Sequence, residues 1–179
     1  MRAASPDRIV YLGGDDALDQ VVHEWAKTLV DGDPSDAAIW SRAAAALRDS
    51  SGAEASTFVR REHARLRLRM LEQLPREGRR ATEQLADRTL VFIDDRERLD
   101  QNDLRISSCF IFGKSDVPVV KRVASRWFLS PGEAKRDTAL VVEVDGLGTF
   151  RASVFENAEC ATTETLHWSS KRRGSPPPT

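Results

Sequence analysis

The chain has 179 residues, with 27 Lys+Arg against 28 Asp+Glu, 40% apolar and 31% charged residues. Such a length suits one domain, or a domain with a helical annex, with a real core under a densely ionic surface. No run approaches the roughly 18–20 consecutive apolar residues of a membrane span, and no apolar stretch follows the N-terminal MRAASPDR. Two cysteines, Cys109 and Cys160, exclude a disulfide framework and a four-thiolate zinc site. The expectation is a reduced, cytoplasmic protein without membrane contact.

Near-neutrality hides an uneven distribution. Residues 1–57 carry 5 cations and 10 acids, 58–88 carry 9 and 5, and 89–179 carry 13 of each. Arginine outnumbers lysine 22 to 5, so most available cations are planar forks suited to carboxylate or phosphate.

In chain order, Arg8–Leu12 reads as a short strand stopped by Gly13-Gly14. Asp15 or Asp16 then caps a helix with Leu18, Val21, Val22, Trp25, Ala26, Leu29 and Val30 on one face. Pro34 and Ser35 open a second helix through Ile39, Trp40, Ala43, Ala44 and Leu47. Ser56 is placed to cap a third, from Thr57 to Leu74, and a short helix is expected over Ala81–Asp87.

After residue 88 the pattern changes. Thr89–Ile93 and Arg105–Phe112 are apolar runs of strand length, the second plausible as a strand buried on both faces. Asp116, Pro118 and the spacing of Val119, Val120, Val123 and Trp127 predict a helix. Ala139–Phe155 alternates about the turn Asp145-Gly146-Leu147-Gly148 and predicts a hairpin. A last strand is expected over Thr163–Trp168. The four tryptophans, Trp25, Trp40, Trp127 and Trp168, sit on periodic apolar faces and are expected in the core or at the buried centre of an interface.

The fold class expected is α+β: a helical N-terminal half over 1–88, followed by a small mixed or antiparallel sheet with one additional helix over 89–168. These two regions are expected to pack as one domain. The polar, Pro-rich residues 169–179 are expected to form a disordered tail.

The most distinctive cluster is arginine. Arg60, Arg61, Arg65, Arg69, Arg76, Arg79 and Arg80 fall on or after the third helix, and Arg61, Arg65 and Arg69 step by four into one stripe. A line of cations suits a line of phosphates, or an acidic protein face. The competing reading is internal pairing with the acidic first third.

Other patterns are weaker. Gly113-Lys114-Ser115 follows an apolar strand, where a phosphate-binding P-loop ends, but Ser108 replaces the first glycine and a bulky strand fills the loop. The strand-end carboxylates Asp15, Asp94, Glu143 and Asp145 are candidates for a shared magnesium ion. His23 lacks the second histidine of a zincin helix. A Cys–His pair between His167 and Cys109 or Cys160 needs an adjacency that sequence does not show. His63 lies within the arginine helix.

The leading expectation is a non-enzymatic binding or accessory subunit of a cytoplasmic, bacterial complex, without cofactor. It would dock an acidic partner, a nucleic-acid backbone or a protein face, through the Arg-rich helix. One alternative is a magnesium-dependent nuclease or phosphohydrolase built on the strand-end carboxylates. The other is a protein-interaction module whose Arg-rich helix pairs internally.

Overall fold

The computed structural model describes residues 6–48, 51–133 and 137–168. The expected disordered tail lies outside the described residues. The fold is α+β, with strands throughout rather than helices first and strands after. It divides into two compact units, one ending at Leu74 and one beginning at Pro75.

The first unit holds β1 (Ile9–Tyr11), α1 (Ala17–Leu29), α2 (Ile39–Leu47), α3 (Gly52–Arg67) and β2 (Leu71–Gln73). Ser51, not Ser56, begins α3, through a reciprocal capping box with Glu54. The helix expected to run to Leu74 ends at Arg67 in a short 3-10 turn, and the chain then pairs β2 parallel to β1, Ile9 opposite Leu71. Of the described apolar residues of this unit only Val30 and Leu74 are buried, and Trp25 and Trp40 are 52% and 81% exposed. The core placement expected for those two tryptophans is therefore corrected.

An ionic cluster stands at the centre instead. Arg42 grips Glu62 with two bonds, Nε to Oε1 at 2.7 Å and Nη2 to Oε2 at 3.0 Å, and Arg65 Nε donates to Oε2 at 2.9 Å. All three side chains are buried. Further donors reach the connector before α2: Arg42 Nη1 to the Asp33 and Ser35 carbonyls, and Arg65 Nη1 to the Pro34 carbonyl and Asp36, while Arg65 Nη2 is buried without a partner. One carboxylate thus ties α2, α3 and the connector together.

The second unit contains two sheets. The larger has the order β3-β4-β5-β7-β6, from Arg80–Leu85, Arg88–Ile93, Cys109–Phe112, Arg126–Ser130 and Val119–Val123. Its central strands β4, β5 and β7 run parallel, with Ile93 opposite Phe112 and Ile111 opposite Leu129. Every residue of β5 is buried, as expected of a strand covered on both faces. Phe110 stacks on Phe128 with ring centroids 5.3 Å apart.

Between β4 and β5 lies α4 (Gln101–Ile106), capped reciprocally by Asp100 and Asp103. Arg80 reaches both of those carboxylates, at 3.0 and 2.9 Å. The smaller sheet, β10-β9-β8, comes from Glu159–Leu166, Phe150–Glu156 and Thr138–Val144. The expected hairpin is present, its turn fixed by Asp145 accepting from the amides of Leu147 and Thr149. Trp168 joins the sheets: its ring packs edge-on against Phe150 and lies under Arg88, and its Nε1 donates to the Ser108 carbonyl.

Two expected helices are strands. Ala81–Asp87 belongs to the β3–β4 hairpin, and Val117–Trp127 to the β6–β7 hairpin. Valines at 119, 120 and 123 fit a pleated strand better than a helix, because β-branching restricts χ1 there. Both turns are also cryptic. Two-residue hairpin turns favour glycine or asparagine in the left-handed region, yet here Ala86 and Ala124 occupy it, at φ 51° and 53°.

Two stability tests follow. Holding a non-glycine residue in the left-handed region costs about 1–2 kcal/mol, partly offset by the greater unfolded-state freedom of glycine. Ala124→Gly should therefore raise Tm, by about 0.5–1 kcal/mol of stability in a denaturant titration. Glu62 offers the second. The hydrogen bond from Arg42, reinforced by Arg65, holds its carboxyl below the usual range against the opposing effect of burial. Its stabilisation is complete above the unfolded-state value and lost as pH falls through the lowered folded one. Glu62→Gln should destabilise by about 3 kcal/mol at neutral pH, and flatten the acid limb of the stability profile followed by circular dichroism.

Candidate functional site at the carboxyl ends of the parallel strands

In open sheets with parallel strands, ligands bind outside the carboxyl ends, where loops diverge from aligned strands. Here β4 ends in Asp94-Asp95 and β5 in Gly113-Lys114, while Ser130-Pro131-Gly132 follows at the end of β7. The Gly113 amide donates to the Ile93 carbonyl at 3.0 Å, setting the two strand ends side by side. On the other flank, the Asp94 amide donates to the Arg79 carbonyl at 3.2 Å. Gly132, at φ 89°, lies so close to Pro118 that a Cβ would come within 2.8 Å of its backbone nitrogen.

Asp94 is the unusual member. Only 4% of it is exposed, and its Oδ1 is buried without a hydrogen-bond partner. Its Oδ2 faces Arg79 Nε at 3.9 Å and Arg98 Nη1 at 3.7 Å, contacts longer than hydrogen bonds. Asp95 beside it accepts from Lys114 Nζ at 2.8 Å and from the Glu97 amide at 3.0 Å. Those bonds, the lysine's foremost, hold the Asp95 carboxyl below the usual range. Arg96 lies over the Phe112 ring, 5.9 Å from its centroid. Two carboxylates and four cations thus converge, and the surplus is positive.

The residues singled out from the sequence are scattered. Arg60 is on α3 and contacts Thr57 at 3.5 Å. Arg61 pairs with Asp31 at 3.1 Å, Arg65 is buried in the Glu62 cluster, and Arg69 pairs with Asp36. Every member of the expected docking stripe therefore meets a carboxylate of its own unit. Arg76, Arg79 and Arg80 belong to the second unit, with Arg80 bound to Asp100 and Asp103. A shallow groove along α3 is lined by Val59, Arg60, His63 and Arg67, but all its walls come from one helix.

The expected metal ligands do not assemble either. Asp15 belongs to the first unit, where Tyr11 and the Ala17 amide donate to it. Glu143 and Asp145 face Arg151 in the smaller sheet, at 4.0 and 3.1 Å. Only Asp94 stands at the parallel-strand edge. Its neighbours Arg98 and Lys114 carried no clear signal: nothing in the sequence singles out Arg98, and Lys114 reads as part of a failed P-loop.

No protein-family model matches the sequence, and no curated protein matches it. Among solved structures, the chain is similar to a predicted phosphoesterase from Streptococcus pneumoniae, at 13% identity over 88% of this chain and 94% of that one, with a TM-score of 0.45. It is similar to a mutant Vps29 from Entamoeba histolytica, at 15% identity over 66% and 79% of the two chains, with a TM-score of 0.44. The wild-type Vps29 of that organism complexed with Zn2+ matches at 16% identity over 49% and 59%, with a TM-score of 0.38. Similarities this distant assign no residue role or activity to this chain.

Two expectations are corrected at this point. The first is the non-enzymatic binding or accessory subunit: the matched structure from Streptococcus pneumoniae is described as a predicted phosphoesterase instead. The stripe meant to dock a nucleic-acid backbone or a protein face is, moreover, already paired. The second is the expectation of no cofactor, against which stands the Zn2+ of the wild-type Vps29 complex. A bacterial, cytoplasmic setting finds no support in the fold. Among the described residues, no helix is long and apolar enough to cross a membrane.

The donor set of this chain nevertheless does not fit such an ion. Within either unit, no three His, Cys, Asp or Glu side chains among the described residues are placed to hold a metal. Asp94 and Asp95 face guanidinium and ammonium groups instead.

The cysteines are separate from this edge. Cys109 is buried inside β5, where burial pushes its thiol up to about 12, and Cys160 is exposed on β10. A thiol that high is almost wholly protonated at neutral pH and unreactive. A disulfide-exchange reagent should label Cys160 alone in the native protein, and Cys109 only on unfolding. Cys160→Ser should abolish native labelling; rapid labelling of that variant would show β5 to open.

Proposed function

We propose that the chain is a phosphohydrolase that binds a phosphate ester at the carboxyl ends of β4, β5 and β7, with Asp94 at the centre of its site. The observation that carries this reading is the buried carboxylate of Asp94, which has an unpartnered Oδ1 beneath two arginines held at 3.7 and 3.9 Å. Buried polar atoms in native proteins almost always have a partner, so an orphan at a strand end calls for a functional one. Arg98 is half-exposed and faces Asp94 only at that long distance, which leaves it able to turn toward a phosphoryl group.

In this reading the cations orient the phosphoryl oxygens and stabilise the charge that builds on them in the transition state. Asp94 Oδ1 accepts a proton from the attacking water. A new oxygen–phosphorus bond forms as the ester bond breaks, and the leaving alkoxide takes its proton from solvent.

The test is hydrolysis of p-nitrophenyl phosphate and bis(p-nitrophenyl) phosphate across a pH series, in EDTA and with added Mg2+, Mn2+ or Zn2+. Asp94→Asn should lower kcat/KM about 100-fold or more, the usual contribution of a positioned base, while leaving the circular-dichroism melt near that of the wild type. Absence of turnover under every condition, or an Asp94→Asn variant as active as the wild type, overturns the reading.

A further inference from the structure

The smaller sheet of the second unit is acidic. Residues 138–168 hold five acids, Glu143, Asp145, Glu156, Glu159 and Glu164, and no Lys or Arg besides Arg151. Arg151 faces Glu143 and Asp145, at 4.0 and 3.1 Å. Among the described residues, Glu156, Glu159 and Glu164 have no cation beside them.

The β9–β10 hairpin gathers these three glutamates. Glu159 stands directly opposite Glu156, and like charges placed so across two strands are destabilising. The register then slips by one residue between Cys160 and Thr162. Residues five apart in a regular strand point to opposite faces, but the bulge restores the phase. The partners of Glu159, Thr162 and Glu164 are Glu156, Val154 and Ala152, which alternate along β9, so the three β10 residues share one face. On the other face Thr163 meets Ser153, hydroxyl to hydroxyl at 2.9 Å.

β10 is also the last strand of its sheet, with only one edge paired. Among the described residues, no segment other than β9 gives its backbone a hydrogen bond. Every residue from Glu159 to Glu164 is exposed, whichever face it points from. Native proteins blunt such edges with lysine, proline, short length or a covering element. β10 has eight residues and neither lysine nor proline. Its bulge leaves Thr162–Leu166 in regular register, where the outward N–H and C=O groups can pair with a further strand.

We infer that the outer edge of β10 docks an extended, basic segment of a partner protein, which adds to the sheet as a fourth strand. Main-chain hydrogen bonds supply affinity in this mode of recognition, and alternate side chains supply specificity. Lysine or arginine on the glutamate face pairs across the strands with Glu164 and Glu159, and the cation opposite Glu159 relieves its contact with Glu156. A second copy of the chain is the poorer occupant, because β10 carries no cation and would set one acidic strand against another. The docking edge does not depend on the phosphohydrolase reading, since none of its residues lies at the strand ends around Asp94.

The probe is a synthetic peptide, VKVTVKV, with lysines spaced for one face of a strand, and the control is KKVVTVV, of the same composition. The first should bind saturably by titration calorimetry and slow hydrogen exchange at alternate amides of residues 162–166. Methylating alternate amide nitrogens of the peptide should abolish binding in one phase and spare it in the other. The double variant Glu159→Lys/Glu164→Lys should bind at least about 10-fold more weakly. It should nevertheless melt at or above the wild-type temperature, because Glu159→Lys turns a like-charge pair with Glu156 into an opposite one.

No saturable binding, equal binding of KKVVTVV or of both methylated peptides, or a double variant that binds as the wild type does overturns the docking edge. Two further outcomes overturn it by naming another occupant. A dimer in sedimentation that the peptide dissociates assigns the edge to a second copy. Binding that appears only after residues 169–179 are removed assigns it to the chain's own Lys171-Arg172-Arg173.

Discussion

The parallel register of β4, β5 and β7 is the constraint on which the candidate site depends. Every residue of β5, Cys109–Phe112, is buried, so no face of that strand is left to present a side chain to a ligand. Only its ends can do so. Parallel pairing on both sides brings three carboxyl ends to the same edge of the sheet, and the antiparallel β3 adds the start of its own strand there through Arg79. Four separate stretches of sequence thereby converge without any of them carrying a recognisable motif.

Charge is handled differently in the two units. In the first, Arg42, Glu62 and Arg65 occupy positions that a larger domain would fill with leucine or phenylalanine. Burying such a group is costly in desolvation, and the arrangement survives because both carboxylate oxygens are satisfied and Nη1 of each arginine caps carbonyls of the connector. The geometry of that connector is thus written by arginine rather than by packing. In the second unit, the Asp94 group leaves one oxygen unsatisfied and two contacts beyond hydrogen-bond length. Each cluster leaves one buried polar atom without a partner, Arg65 Nη2 in the first and Asp94 Oδ1 in the second, but only in the second is it a carboxylate oxygen, and that difference locates chemistry better than net charge does.

Much of the second unit was legible in the sequence. The runs ending at Ile93 and Phe112 are too apolar and too short to be anything but buried strands, and the Asp145-Gly146-Leu147-Gly148 turn announces its hairpin. What failed were turns that lack their usual residues. Ala86 and Ala124 adopt a conformation in which glycine is expected, so Ala81–Asp87 and Val117–Trp127 offered no break in the pattern. Helical spacing was then free to mislead. The parallel pairing was also invisible, because a period-2 or continuous apolar pattern does not say which strand lies beside which. Asp94 could be named as a strand-end carboxylate, but its company could not. Arg98 and Lys114 lie four and twenty positions away in the chain, and only the sheet joins them.

The arginine segment shows the same limit from the other side. A +4 balance over residues 58–88 looked like one basic surface because it was contiguous in sequence. Contiguity broke at Arg67, where α3 ends, and again at Leu74, where the first unit ends. Arg61, Arg65 and Arg69 turned toward acids of residues 31–62, while Arg79 and Arg80 entered another sheet with another set of carboxylates. Within that second set the decisive difference is backbone, not charge. Arg80 lies in a regular strand and is bound by two carboxylates that cap α4, so its role is to fix that helix. Arg79, one residue earlier, bends its backbone into the left-handed region and meets its carboxylate only at 3.9 Å. Two adjacent arginines with the same chemistry are thus sent to different carboxylates, Arg80 to the pair that caps α4 and Arg79 toward Asp94.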